Sequence, residues 1–275
     1  MRRDLKVVRR ELDPRGDSKP LDQMVFVAHS MGGLISLLQT VESKNEFWKI
    51  VSDNELSQLE GDRSTIELLR DTFFFQPNPS IDRIVTIATP LRGSEFANSA
   101  TRWVSQKLFT LPAVVTNDFQ KFAKQNRGQL RNPEFLTNTT SIDSLAPGNP
   151  VFNAFANSEH SKNVKVHGII GRLPKKQLLG KTKERQRFAG DGIVSIESAS
   201  NADAVSQVYV PEEHTKIHQH PGSIYEVRRI LLENLEEYDR IRVREIPQIP
   251  SVQQATRLEA VESNVGSGIS PTWRR

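Results

Sequence analysis

The chain has 275 residues, a formal net charge of +4 and no cysteine, so disulfide bonds are excluded. Its basic residues are scattered rather than clustered, and we therefore expect no nucleic-acid partner. Apolar residues make up only 36% of the chain, which indicates exposed insertions and tails around a smaller core.

No apolar run reaches the length of a membrane span, and the arginines at the N-terminus are not followed by the apolar stretch of a signal peptide. We therefore expect no transmembrane segment. Cytoplasmic localisation is the default expectation, with export open if a segment precedes Met1.

The first predicted element is a single amphipathic helix. Leu5, Val8 and Leu12 recur at helical spacing, and the helix is broken by prolines and a glycine from Pro14 onward. Only about 23 residues therefore precede the first apolar strand candidate, at Met24.

A strand, a tight turn and a helix follow in residues 24–41. The run from Met24 to Ala28 is typical of a buried strand, and apolar residues then recur at helical spacing from Leu34. Between them lies Ala28-His29-Ser30-Met31-Gly32, a serine flanked two residues away on each side by a small residue. This pattern at a strand-to-helix junction predicts a nucleophile elbow, a strained turn that exposes a serine hydroxyl.

The middle of the chain holds two predicted insertions, at about 43–79 and 95–162, separated by a strand at Ile81–Ala88. Ser64-Thr-Ile-Glu67 is a capping-box pattern, which predicts a helix N-terminus with Ser64 as its cap. The second insertion is polar and helix-prone, and we expect it to form a helical lid.

An acid and a histidine follow the later strand candidates. Asp191 lies between two glycines after a strand candidate at Val164–Ile170, and His214 follows the last one, Gln207–Val210. His214 comes 23 residues after Asp191, a gap that suits two neighbouring strand-end loops. Serine, acid and histidine thus occupy three strand ends in the order of a hydrolase triad.

Other residues compete for these roles. His218 is the reserve candidate for the base, and Asp143 and Glu197 are alternative acids, although each is less well placed than Asp191. His29 neighbours Ser30 but is expected to point away from the cleft, because adjacent residues diverge at an elbow. We interpret His29 as structural.

A metal site is the alternative interpretation of the C-terminal histidines. His214, His218 and His220 form an H-x3-H-x-H pattern, but Pro211 and Pro221 indicate a loop rather than a helix that would bring the rings together. We therefore expect no metal and no cofactor.

An amphipathic closing helix is predicted from Ile224 to Tyr238, and the chain beyond Pro247 is rich in Gln, Ser and Gly. The sequence thus predicts one α/β domain over residues 1–245 and a flexible tail over 246–275.

Taken together, these motifs resemble those of bacterial serine esterase/lipase-like α/β-hydrolases, over roughly Leu5 to Tyr238. The segments that carry the resemblance are Val27–Gly33, Val85–Ser94, Gly190–Val194 and Val210–Pro221. The resemblance implies a mostly parallel sheet flanked by helices, with Ser30 as nucleophile, Asp191 as acid, His214 as base and the backbone N–H of Met31 in the oxyanion hole. Leu91 departs from the pattern, since relatives often have histidine there.

The resemblance also implies strands ahead of the elbow that this chain does not supply, so we expect an N-terminally truncated version of the fold. The loop that donates the second oxyanion N–H should then be missing, unless the loop after Thr89 replaces it. An unpaired flank on the first strand should favour self-association.

The expected function is hydrolysis of small-molecule or lipid carboxylic esters through an acyl-enzyme. Thioester cleavage, amide cleavage and acyl transfer use the same machinery and stay open. The competing class is a truncated, catalytically weak or inactive hydrolase-like protein that serves as an interaction module.

Overall fold

The computed structural model describes residues 1–93, 113–137, 149–174 and 190–245. Parts of the predicted lid, the alternative acid Asp143 and the predicted tail at 246–275 lie outside these ranges. The chain divides into two compact units, Met1–Leu232 and Glu233–Arg275.

A parallel sheet forms the centre of the first unit. In the described residues its strands are β1 Met24–His29, β3 Ile81–Ile87, β5 Lys165–Gly171 and β6 Ser206–Val210. They lie in the order β1-β3-β5-β6, and each neighbouring pair is parallel. This confirms the predicted α/β class, a mostly parallel sheet flanked by helices. A short antiparallel pair, β2 Val41–Glu42 and β4 Glu159–His160, lies outside this sheet.

Helices occupy much of the remaining described chain, including the described parts of both insertions. They are α1 Arg2–Leu12, α2 Met31–Leu37, α3 Trp48–Val51, α4 Arg63–Phe73, α5 Ala113–Gln125, α6 Glu134–Thr137, α7 Pro150–Asn157, α8 Ile196–Ala199 and α9 Pro221–Glu245. Short 3-10 turns lie at Lys19–Asp22, Leu38–Thr40, Leu56–Gln58 and Ile217–Gln219. Within the described ranges, no helix combines the length and apolar character needed to cross a membrane.

Both faces of the sheet are covered. On one face Val85 and Ile169 pack with Ile230 of α9, and on the other Ile84 packs with Leu37 of α2. Because both faces are buried, the sequences of the strands are continuous apolar runs and do not alternate between apolar and polar residues.

The two insertions share a core of their own. Trp48 and Leu69 of the first insertion pack with Phe119 and Phe122 of the second, and the ring of Phe73 meets that of Trp48 edge-on at 5.4 Å. The aromatic residues at the end of α4, Phe73 and Phe74, thus pack against the core that the two insertions share. Whether these helices act as a lid stays a prediction.

The second unit contains the C-terminal part of α9, which continues to Glu245. Arg240 and Glu236 form an exposed ion pair one helical turn apart, at 3.4 Å.

The predicted N-terminus of α4 was wrong by two residues. Asp62, not Ser64, is the cap: its Oδ1 accepts a hydrogen bond from the Thr65 backbone N–H at 2.9 Å. The Ser64 hydroxyl instead donates to the same carboxylate at 2.8 Å. An ionised carboxylate is a stronger acceptor at the positive end of a helix than a hydroxyl, so the aspartate takes the capping position.

Candidate active site

Ser30 lies at the junction between β1 and α2 in a strained backbone conformation. Its φ is 54° and its ψ is −130°, a left-handed φ that residues other than glycine rarely adopt. The Ser30 N–H donates to the carbonyl of Ile87 on β3 at 2.8 Å, which fixes the turn to the neighbouring strand. A serine held in this way has its hydroxyl directed out of the turn, as predicted for an elbow.

The small residues around Ser30 allow α2 to approach the sheet. A Cβ at Gly33 would overlap the side chain of Thr89, at the end of β3, whereas one at Gly32 would sit 3.7 Å from the Cβ of Ala28. Gly33 is therefore required for the close packing of α2 beside Thr89. Between positions 28 and 32 the packing is looser, because a Cβ at Gly32 would make only an ordinary van der Waals contact with Ala28.

Asp191 follows β5 and is almost completely buried, with 2% of its surface exposed. Its Oδ1 accepts two backbone hydrogen bonds, from Ile193 at 2.9 Å and from Val194 at 2.7 Å. These bonds leave Oδ2 for another partner. A Cβ at Gly171 would overlap the Asp191 side chain, so the carboxylate is held directly against the end of β5.

His214 follows β6 and supplies that partner. Its Nδ1–H donates to Oδ2 of Asp191 at 2.7 Å, and its Nε2 accepts from the Ser30 hydroxyl at 2.9 Å. Its backbone N–H also donates to the carbonyl of Asp191 at 3.1 Å. The structure thus brings together the three residues that the sequence singled out, in the order acid, base, nucleophile.

Parallel strands explain why residues so far apart in sequence meet. The carboxyl ends of β1, β5 and β6 lie at one edge of the sheet, and Ser30, Asp191 and His214 each follow one of them. Chemically, the arrangement is a hydroxyl bonded to an imidazole that a buried carboxylate orients. Met31 is the first residue of α2, where backbone N–H groups have no partner within the helix.

The alternative residues lie elsewhere. His218 is exposed, and its Nε2 contacts the side-chain nitrogen of Gln219 at 3.1 Å, whereas His214 contacts Ser30. Glu197 lies in α8, where its carbonyl accepts from Arg92. Asp143 is outside the described residues.

The sequence did not predict one contact of His29. The Nε2–H of His29 donates to the backbone carbonyl of His214 at 2.8 Å, and its ring lies 4.8 Å from the His214 ring and 5.0 Å from the His218 ring. Burial, followed by the charge on His214, lowers the pKa of His29 to about 4. No sequence signal marks the bond of His29 to a loop 185 residues away.

In the part of the chain that the structure describes, no group of three or more His, Cys, Asp or Glu side chains is arranged to hold a metal ion. A cavity of about 380 Å³ lies beside β1, lined mainly by apolar side chains such as Val27 and Ile224, together with His29 and His218.

No protein-family model matches the chain, and no curated protein matches it. Solved structures with a similar fold include the mature lipase BlEst2 of Bacillus licheniformis, at 16% identity and a TM-score of 0.43, with 83% of this chain and 70% of that one covered. The lipase of Staphylococcus hyicus matches at 13% identity and a TM-score of 0.40, covering 80% and 71%. EstA of Clostridium botulinum matches at 12% identity and a TM-score of 0.37, covering 72% and 60%. Similarity this low does not extend to activity.

Proposed function

We propose that the protein is a serine hydrolase that cleaves carboxylic esters of small molecules or lipids through an acyl-enzyme. The observation that carries the proposal is the unbroken line of hydrogen bonds from Asp191 Oδ2 to His214 Nδ1, at 2.7 Å, and from Ser30 Oγ to His214 Nε2, at 2.9 Å. These distances lie within the reach needed for proton transfer between a nucleophile and its base.

In the first half of the reaction, His214 Nε2 takes the proton of the Ser30 hydroxyl as Oγ forms a bond to the ester carbonyl carbon. The carbonyl oxygen becomes an oxyanion, which the backbone N–H of Met31 stabilises. Asp191 holds the neutral imidazole with its proton on Nδ1 and stabilises the imidazolium that forms. The C–O bond to the alcohol then breaks, and His214 gives its proton to the departing alkoxide.

In the second half, water replaces the alcohol. His214 takes a proton from water as the water oxygen attacks the acyl carbon, and the bond to Ser30 Oγ breaks as His214 returns the proton to Oγ. A carboxylic acid leaves and the enzyme is restored. Each proton moves along a contact that His214 already makes or along one to the bound substrate.

Labelling by a fluorophosphonate probe tests the proposal, because the probe reacts with an activated serine whatever the natural substrate is. We expect Ser30 to be the labelled residue, identified by peptide mass spectrometry, and Ser30→Ala to abolish both labelling and hydrolysis of short p-nitrophenyl esters. A Ser30→Ala protein that keeps the wild-type fold, judged by circular dichroism, and still labels equally would refute the assignment.

The exposed flank of β1 favours a second function, as an interaction module that associates with another copy of the chain. In the described residues β1 pairs with β3 alone, and 45% of the Val27 side chain is exposed. An edge strand beside exposed apolar surface favours pairing with another chain. Sedimentation velocity tests this function: self-association of a chain that neither labels nor hydrolyses esters would favour it over the first.

A further inference from the structure

His29 connects the strand that carries Ser30 to the loop that carries His214. It is the last residue of β1 and is adjacent in the chain to Ser30, whose hydroxyl also contacts His214. From there its Nε2 reaches the backbone carbonyl of His214 at 2.8 Å. One side chain thus spans the two segments whose separation sets the distance between nucleophile and base.

The direction of this bond fixes the state of the His29 ring. A carbonyl oxygen only accepts hydrogen bonds, so Nε2 of His29 must carry a proton. Among the groups that act on this ring, burial and the charges of His214 and His218 oppose protonation, whereas the carbonyl of His214 and the carboxylate of Asp191 favour it. The lowered pKa of His29 keeps it neutral near pH 7, as the tautomer with its hydrogen on Nε2.

A neutral donor at this place suits the chemistry of His214. During the proposed reaction the His214 ring becomes positively charged, and the His29 ring is only 4.8 Å away. A second cation there would oppose that charge, whereas a neutral ring does not.

We propose that His29 is a positioning residue, which holds His214 in register with Ser30 by a hydrogen bond from its Nε2–H to the His214 carbonyl. The inference rests on the proposed function. Three tethers then fix His214: its ring to the Asp191 carboxylate, its N–H to the Asp191 carbonyl and its carbonyl to His29. Of these three, the third ties His214 to the strand that ends at the nucleophile.

The test compares variants that differ in the donor at position 29. His29→Gln keeps an N–H donor of similar reach, His29→Asn has a donor that is too short, and His29→Phe keeps a ring without a donor. Misplacement of a catalytic group by about 1 Å can cost about 10²-fold in rate. We therefore expect His29→Phe and His29→Asn to slow fluorophosphonate labelling of Ser30 by about 10- to 10²-fold, and to lower kcat with little change in KM. His29→Gln should stay within about threefold of wild type.

The matched control is His160, whose Nε2–H also donates to a backbone carbonyl, that of Phe155, at 3.0 Å. It lies on β4, outside the main sheet, and His160→Phe and His160→Gln should label as wild type does. If His29→Phe does not fold by circular dichroism, the comparison of His29→Asn with His29→Gln measures the same contribution.

The outcomes separate this inference from the proposed function. A wild-type chain that does not label at Ser30 would overturn both. A wild-type chain that labels while folded His29→Phe or His29→Asn labels equally fast would overturn the role of His29 alone, as would His29→Gln labelling as slowly as His29→Asn. Independently, ¹H–¹⁵N correlation spectra should show the His29 ring with its hydrogen on Nε2, and a neutral ring with its hydrogen on Nδ1 would overturn the inference.

Discussion

The two flanks of β1 (Met24–His29) are built differently, although they belong to the same six residues. On the inner flank, β1 pairs with β3 along its whole length, and the Ser30 N–H bonds to Ile87 of β3. On the outer flank, in the described residues, no strand pairs with β1. There Val27 is 45% exposed and borders the cavity of about 380 Å³.

The difference shows how little of the sheet the proposed site needs. Ser30, Asp191 and His214 follow β1, β5 and β6, which belong to one continuous parallel sheet in which β3 connects β1 to β5. On the outer flank, Val27 contributes apolar surface beside the cavity. Substitutions on the inner flank should therefore change rate and stability strongly, and substitutions on the outer flank should change association.

The largest expected effect on the rate comes from Asp191→Asn, at the end of β5 in the paired part of the sheet. Its Oδ1 can still accept the N–H groups of Ile193 and Val194, so the turn should persist. The amide nitrogen would then face Nδ1 of His214 and favour the wrong tautomer, which lowers kcat by about 10⁴-fold in triad hydrolases. Steady-state kinetics on a p-nitrophenyl ester measure this, and a loss of less than tenfold would argue against Asp191 as the acid.

The next largest effect is expected on stability, from the packing of α2 against Thr89 beyond the end of β3. Gly33→Ala would overlap the Thr89 side chain and should cost about 1–3 kcal/mol of unfolding free energy. Gly32→Ala, one residue earlier in the same helix, meets an ordinary contact of 3.7 Å and serves as the control. Thermal unfolding should show a lower Tm for Gly33→Ala alone; equal Tm values would mean that Thr89 moves aside freely.

Acid should lower the free energy of unfolding through protonation of His29. The pKa of His29 in the folded protein, about 4, lies below its usual value of 6.5, so the unfolded chain binds the proton more readily. The stability contributed by neutral His29 is present above about pH 6.5 and is lost as the pH falls toward 4. The difference between the urea midpoints at pH 7.5 and pH 5 should therefore be smaller in His29→Gln than in wild type. An unchanged difference between the two pH values would show that other groups cause the acid sensitivity.

The smallest effect on stability, and the one that tests the outer flank, is expected from Val27→Lys. A lysine on an edge strand discourages pairing with another chain, so self-association should weaken while the rate of Ser30 labelling changes little. Val205→Lys adds the same charge at a residue that is 60% exposed and lies away from β1. Sedimentation velocity compares the two; equal self-association of Val27→Lys and wild type would locate any interface elsewhere.

Much of the fold and of the site could be predicted from local patterns. The serine between small residues, the acid between glycines and the histidine after the last strand each depend on the few residues around them. Apolar runs located the four strands of the main sheet to within a residue or so, because a strand buried on both faces must be apolar along its length. The cap of α4 was misplaced because Asp62 and Ser64 offer competing acceptors within one turn.

What the sequence alone determined is therefore the order of the elements and which polar residues follow three of the strands. The sequence favoured His214 over the reserve candidate His218, and only the tertiary structure shows the contact itself: His214 bonds to Ser30, whereas His218 contacts Gln219. The same is true of His29, whose partner is a carbonyl 185 residues away. A backbone carbonyl exists at every residue and leaves no mark in a sequence, so a bond to it appears only when the parallel strands bring their ends to one edge.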